Sequence, residues 1–418
     1  MVECWLPYGK TEVHVSIPIK NLASLSESAS VPLEDPETSV KQSLENPLGG
    51  RRLRDIAARQ KNASIAIGSD LPSDSLPFVL DALISELREA GLPNNAITII
   101  TSPGTTGTPL PYIQERLAQV QQEGINLIHH QWSDTALEQA KVSSSRAVAL
   151  RKEFLDAELK IAVGEVKPDP FFSFTGSTTT LFPGISGKRP MSTYLTPLLK
   201  DIRDGAIQGR EVIWTELTNS IKELGIDYAV DTVSDTKGHL IGVFSGDYSA
   251  SSTAACQFCR TTYGPIEKTK ADIAIVSVGG YPYDGSLYRS AYSSAGLYRD
   301  LGKPEAIILV AECLEGYGDT GFTEFMKAGL DSQAVERRNR ESWTLAGEVA
   351  RSFRELLEQR NVVLVSMLPE HILKPLGMKG ARAVNDALEV LTKNRKGDYR
   401  VSVFAQGAYV SARKDLKR

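Results

Sequence analysis

Cysteine, histidine and long apolar runs are all scarce in this chain. Its 418 residues include four cysteines (Cys4, Cys256, Cys259, Cys313) and five histidines. Four scattered thiols make no disulfide framework and suit a reducing compartment. Cys256-Gln-Phe-Cys259 spells C-x-x-C inside a helix-like stretch, residues 251–262, with no second pair and no nearby His. It reads as two core-facing thiols rather than a metal or redox site. The histidines, His14, His129, His130, His239 and His371, show no H-x-x-x-H and no carboxylate–histidine spacing, which argues against a metal held by protein ligands alone. His129-His130 ends a strand, where neighbours point to opposite faces, so one of the two can face a cleft. The others read as structural. No apolar stretch nears the about 18 residues a membrane span needs, and the start lacks a signal-peptide pattern. The expectation is a soluble, cytoplasmic protein with no membrane contact. Net charge is −4 with basic residues dispersed, which excludes a sizeable nucleic-acid surface. The basic end Arg413–Arg418 reads as a solvated tail.

What is present is globular: 41% hydrophobic and 23% charged residues. That length exceeds one ordinary core and predicts two domains, residues 1–270 and 271–418. Residues 12–17 alternate as an edge strand would, 22–36 form a Ser/Pro/acidic connection, and short helices follow at 39–44 and 51–60. Strand and helix then alternate. Strands are predicted at 64–67, 96–100, 125–129 and 159–163, with helices at 76–89 and 112–122. A helix at 211–224 and a hairpin of 228–233 with 239–244 close the first domain, and 261–270 is a linker. The second domain repeats the alternation, with strands at 273–278, 306–311, 362–366 and 399–404 and helices at 287–299, 342–359 and 381–392. The fold class is therefore two α/β domains with mostly parallel sheets and an interdomain cleft.

The stretch Lys160–Gly187 organises the rest. It leaves a buried strand at Gly164 and crosses a Pro/Gly/Ser/Thr loop carrying Phe171, Phe172 and Phe174. Three clustered phenylalanines call for burial, so the loop reads as ordered. It is either a site loop or a connection whose aromatics plug a core. Loops 68–74 and 101–107 leave the same sheet edge, rich in small and hydroxyl residues that suit an anion. Gly316-Tyr317-Gly318-Asp319-Thr320-Gly321 matches G-x-G-x-x-G, but Glu312, Glu315 and Asp319 give it the wrong sign for a pyrophosphate, so it reads as a structural turn. Tyr288, Arg289 and Tyr292 share a helix face by i, i+3, i+4 spacing. Arg289 is either a carboxylate clamp or half of a surface salt bridge.

Residues 160–187, with Phe171-Phe172, Phe174, Gly176 and Phe182-Pro183-Gly184-Ile185, resemble the signature loop of the nickel-pincer nucleotide lactate racemase family. The resemblance extends through Leu6-Pro7-Tyr8, Asn46-Pro47-Leu48-Gly49, Gly68-Ser69-Asp70, Ile241-Gly242, Ser245-Gly246-Asp247 and Gly279-Gly280-Tyr281-Pro282. It implies hydride chemistry on a 2-hydroxy acid through a nickel-bearing pyridinium nucleotide tethered to a lysine, with two acid–base histidines and an arginine and a lysine on the substrate. Here the tethering lysine falls on Thr179 and a metal-ligating histidine at or beside Asp169. The second-loop histidine falls near Thr105, beside Thr106, and the first-loop arginine near Ser73. A further histidine becomes Tyr194, and the substrate-side lysine becomes Tyr292. Asp70, Phe172, Pro183, Tyr288 and Trp343 fit the family pattern.

A threonine cannot make the linkage that a lysine amine makes, and tyrosine is a weak proton shuttle near neutrality. The reading is a divergent family member that binds a small anionic, 2-hydroxy acid-like metabolite in the cleft, as an isomerase with altered cofactor use and no covalent attachment. The alternative is a non-catalytic relative that regulates or scaffolds an active racemase. Thr105, Tyr194, Arg289 and Tyr292 would do the chemistry. Asp70, Ser73, Phe172, Thr179, Pro183, Tyr288 and Trp343 would surround the cofactor position.

Overall fold

Strands β1 (Val2–Tyr8) and β2 (Thr11–Ile17) form an antiparallel hairpin. Its inward residues Cys4, Leu6, Tyr8, Val15 and Ile17 join one apolar cluster with Ile273, Ile308, Val363 and Val401. In the computed structural model the described residues are 1–26, 30–68, 71–72, 75–103, 111–139, 148–203, 211–263, 265–266, 269–295, 301–393, 395, 398–409 and 411–412. Contacts divide the chain into two units. One comprises residues 1–29, 169–171 and 263–418, the other 30–168 and 172–262.

The sequence reads residues 22–36 as a connection, but β3 (Leu22–Ser26) is a strand that pairs with residues 401–404 far along the chain. The first 29 residues therefore belong with the C-terminal unit, whereas the sequence groups them with residues up to 270.

The middle unit begins with α1 (Pro36–Glu45), capped by the Asp35 carboxylate on the Thr38 amide. Next come β4 (Ala63–Ile67), α2 (Leu76–Glu89), β5 (Ile97–Thr101), α3 (Pro111–Gln122), β6 (Asn126–His129) and β7 (Leu159–Glu165). Helices α4 (Lys188–Arg203) and α5 (Glu211–Lys222), the hairpin β8 (Tyr228–Ser234) and β9 (Leu240–Gly246), and α6 (Tyr248–Tyr263) complete it. The sheet order is β9-β8-β7-β4-β5-β6, parallel except for the β8–β9 pair. Helix cover on a parallel sheet explains why β4 is buried along its whole length and apolar at every position but Ser64. From β4 the chain runs outward one way through β5 and β6, while β7 and β8 lie on its other side. That reversal is where open α/β sheets bind ligands, beyond the carboxyl ends of the strands.

In the other unit β10 (Ile273–Ser277), α7 (Leu287–Ser294), β11 (Ala306–Val310), α8 (Thr320–Lys327), α9 (Ser332–Glu341), α10 (Leu345–Gln359), β12 (Asn361–Val365), β13 (Lys379–Ala381), α11 (Val384–Thr392) and β14 (Val401–Phe404) follow in turn. Its sheet order is β13-β12-β11-β10-β14-β3, parallel throughout. Here the reversal lies at β10, and α7 is the helix that leaves it. Among the described residues no helix is long and apolar enough to cross a membrane.

Candidate functional site

The Lys160–Gly187 stretch is not the open loop its composition suggests. After β7 it turns back and forms a helical turn at Ser177–Thr179, which continues, broken at Phe182, to Gly184. The turn lies against the strand it came from. A Cβ at Gly164 would sit 2.5 Å from the Gly176 carbonyl oxygen and closer still to the Gly176 carbonyl carbon and the Ser177 nitrogen. Only glycine permits that approach. Gly176 itself has φ +125°, with Val166 and Asp231 packed where a side chain would go.

Two buried carboxylates hold the segment, and the sequence reading missed both. Gly176 occupies the N-cap position of the turn without a side chain to cap it, and Asp231 on β8 does that work from outside. Its carboxylate accepts from the Ser177 amide at 2.7 Å, the Ser177 hydroxyl at 2.9 Å and the Ser251 hydroxyl at 3.1 Å. Burial pushes the Asp231 carboxyl up to about 6, and its hydrogen bonds to Ser177 and Ser251 pull the other way. Glu165, at the end of β7, accepts from the Ser234 amide at 2.6 Å and from the Thr232 hydroxyl. An acid inside an otherwise apolar strand, as in Tyr-Ala-Val-Asp-Thr-Val-Ser, was the available signal for Asp231.

The aromatics of the stretch are packed inward: Phe171, Phe172, Phe174 and Phe182 are all buried. Phe174 lies 5.8 Å from the Trp214 ring, with the Arg260 guanidinium 4.9 Å from its centroid. Phe182 packs on Tyr194 at 4.9 Å, and Tyr194 is itself wholly buried on α4, a helix the sequence reading did not place. The Phe182–Pro183 peptide is cis. The Thr179 hydroxyl donates to the Gly176 carbonyl at 3.1 Å, and the Thr178 hydroxyl meets the Tyr248 phenol at 2.7 Å. Asp70, Ser73, Thr105 and Thr106 lie outside the described residues. Of the paired histidines, His130 is buried with Nε2 2.5 Å from the Ser186 carbonyl, while exposed His129 meets the Thr101 hydroxyl at 3.2 Å. Cys256 and Cys259 are buried on α6, and burial pushes both thiols well up. No group of three or more His, Cys, Asp and Glu among the described residues could hold a metal ion.

In the unit of residues 1–29, 169–171 and 263–418, Ser286 caps α7 by accepting from the Arg289 amide at 3.3 Å. The face that follows brings together residues named from the sequence. The Tyr292 phenol donates to Asp169 at 2.8 Å, and the other Asp169 oxygen accepts from the Phe171 amide at 2.8 Å. The Phe171 and Tyr292 rings lie 5.1 Å apart. Tyr288 is buried against Phe322 at 5.5 Å. Arg289 is half-buried, and no described carboxylate pairs with it, so the salt-bridge reading has no partner among the described residues. Its charge bears on the Tyr281 and Tyr288 phenols, which burial raises. Trp343 is buried one residue before Thr344, whose hydroxyl caps α10 on the Gly347 amide at 3.0 Å. The G-x-G-x-x-G run presents carbonyls rather than amides. Gly316 and Tyr317 accept from the Leu287 and Tyr288 amides at the start of α7, and Asp319 caps α8. That is a helix-bracing turn, not a phosphate cradle.

Comparison with known proteins adds the following. Residues 8–204 match the lactate racemase N-terminal domain and residues 266–411 the lactate racemase C-terminal domain. The lactate racemase of Thermoanaerobacterium thermosaccharolyticum is 24% identical over 427 residues, covering 99% of this chain and 100% of that protein. The lactate racemase of Lactiplantibacillus plantarum is 24% identical over 431 residues, covering 97% and 99%. The apoprotein structure of the Thermoanaerobacterium thermosaccharolyticum enzyme superposes with a TM-score of 0.83 at 22% identity, covering 99% of this chain and all of that one. A Thermotoga maritima protein superposes with a TM-score of 0.63 at 13% identity, covering 92% and 99%.

Proposed function

The chain belongs to the lactate racemase family, and on that premise we propose that it binds a small 2-hydroxy acid-like anion and acts as an isomerase without a covalently tethered nucleotide. The family's nickel-pincer nucleotide, when bound, supplies hydride acceptance at a pyridinium carbon. The residues here do not fit its usual tether. Thr179 has no amine, and its hydroxyl is engaged with the Gly176 carbonyl. No step is therefore routed through a tethered group, and any cofactor would be held without a covalent bond.

One observation carries the ligand class: the half-buried Arg289 guanidinium has no carboxylate partner among the described residues and lies three residues from Tyr292 on α7. A planar fork of donors with no carboxylate on it among the described residues suits a carboxylate brought by a ligand. Asp70, Ser73 and Thr105, outside the described residues, stay in the proposal as further site residues.

A second reading is a non-catalytic relative that partners an active racemase. The buried Tyr194 phenol packed on Phe182 favours it, because a group so enclosed is poorly placed to exchange protons with a ligand. Calorimetry with D-lactate, L-lactate and propionate, followed by chiral separation of lactate incubated with the protein, separates the two. Binding with appearance of the opposite enantiomer supports the isomerase, and binding without it supports the partner protein. The ligand class fails if Arg289→Met leaves anion affinity unchanged; at least a tenfold loss is expected.

A further inference from the structure

The turn between β1 and β2 is pinned through both backbone groups of Gly9. Its amide donates to the buried Asp284 carboxylate at 2.6 Å, and its carbonyl accepts from the Tyr281 amide at 2.8 Å. Gly9 has φ +55°, and a Cβ there would run into the Glu312 carboxylate, so only glycine closes this turn. These bonds fix the hairpin tip onto the segment that leaves β10, at the strand end where the sheet order reverses. Lys10 is the next residue of that tip. It is exposed, and its Nζ lies 5.3 Å from the centroid of the Tyr281 ring.

Arg289 bears on the same side chain. Burial and the Glu315 carboxylate raise the Tyr281 phenol, and the Arg289 guanidinium pulls it back down. Two cations thus meet one partly exposed phenol. Among the described residues neither cation has an ion pair, Glu312 and Glu315 included, and the phenol has no hydrogen-bond partner. A surface lysine without a partner is ordinary. This one has a pinned backbone, its head over an aromatic face, and a second unpaired cation at the same ring.

We propose that Lys10 and the Tyr281 hydroxyl complete the carboxylate site that Arg289 begins, so that an ammonium, a phenol and a guanidinium hold one ligand carboxylate together. The proposal rests on the reading that this unit takes a small carboxylate at Arg289. A phenol with no internal acceptor donates its proton to a carboxylate oxygen, and the ammonium adds a point charge to the directed fork of the guanidinium. Pinning the hairpin tip lowers the ordering cost of bringing a long lysine side chain to the ligand.

The test is calorimetry on the full chain with propionate and lactate, for the wild type, Lys10→Met, Lys10→Arg, Tyr281→Phe and Arg289→Met. Lys10→Met should weaken both acids about tenfold, and Lys10→Arg, which keeps the charge, should stay within about threefold of the wild type. Tyr281→Phe keeps the ring beside Lys10 and removes only the hydroxyl, and it should weaken both acids about three- to tenfold. Lys10 is exposed, so melting curves of its variants should match the wild type. Unchanged affinity in Lys10→Met, or an equal loss in Lys10→Met and Lys10→Arg, overturns the assignment of Lys10. Unchanged affinity in Tyr281→Phe overturns the part given to the phenol. In either case a loss in Arg289→Met leaves the anion reading standing. Absence of binding of both acids to the wild type overturns the proposal and that reading together.

Discussion

Replacing Asp231 with asparagine should stabilise the protein at neutral pH. The carboxylate is fully buried, and burial lifts its pKa from 3.8 to about 6. A carboxyl that is raised on folding binds its proton more tightly in the native than in the unfolded chain. Its favourable contribution is therefore complete below pH 4 and is lost as the pH rises through about 6. A shift of roughly 2 units corresponds to about 3 kcal/mol between those limits. Asparagine removes the charge, and the geometry lets it keep the contacts. Its oxygen can accept from the Ser177 amide, and its NH2 can donate to the Ser177 and Ser251 hydroxyls. The Ser251 hydroxyl already has the Phe244 carbonyl at 2.7 Å to receive its own proton.

Equilibrium urea unfolding followed by circular dichroism at pH 8 and pH 4.5, for wild type and Asp231→Asn, isolates this group from all others that titrate. Asp231→Asn should be more stable by about 1–3 kcal/mol at pH 8, and the gain should shrink by more than half at pH 4.5. Asp231→Ala should instead lose more than about 2 kcal/mol at both pH values, because the Ser177 amide is left buried without an acceptor. A variant Asp231→Asn that is less stable than wild type at pH 8 refutes the reasoning. It would mean that the three donors outweigh burial and hold the carboxyl below its ordinary value.

Two further outcomes follow from burial and close backbone approach. All four thiols are buried, and burial pushes Cys313 up to about 12 and raises Cys256 and Cys259 as well. A disulfide reagent at pH 8 should therefore titrate well under one thiol in the native chain and four in guanidinium, and rapid native reaction at Cys256 or Cys259 would contradict their placement. Gly164→Ala should lower stability in urea by about 1–3 kcal/mol or more, since the added methyl meets backbone of residues 176 and 177 rather than a movable side chain. A loss under about 0.5 kcal/mol would show that the turn is not pressed onto β7.

Much of the fold was readable because parallel strands flanked by helices are mostly apolar. Ala63–Ile67, Ile97–Thr101, Ile273–Ser277 and Ala306–Val310 are short, rich in aliphatic residues and almost wholly buried, and the sequence reading places a strand at each. The elements that were missed lack that signature. Leu22–Ser26 is an edge strand with no residue buried, so nothing periodic marks it. Val2–Tyr8 alternates correctly, but its outward positions include Trp5 and Pro7, which blur the pattern. Lys188–Arg203 carries Pro190 and Pro197, which read as breakers, and Ser332–Glu341 is charged around most of its circumference.

The candidate site was legible as residue types and illegible as partners, because its bonds are long-range. Tyr292 and Arg289 could be placed on one helix face from spacing alone. That Tyr292 meets Asp169, across more than a hundred residues, required the fold. So did the capping of the 177–184 turn, which a glycine begins and an aspartate 54 positions from Ser177 completes. Both cases have one physical root. A buried polar group must find a partner wherever the fold brings one, and sequence distance places no bound on that search. Thr179 and Tyr292 were named from the sequence by residue type alone. What each hydroxyl can do follows from the group it already bonds: Thr179 is turned inward to its own turn, whereas Tyr292 is polarised by a carboxylate.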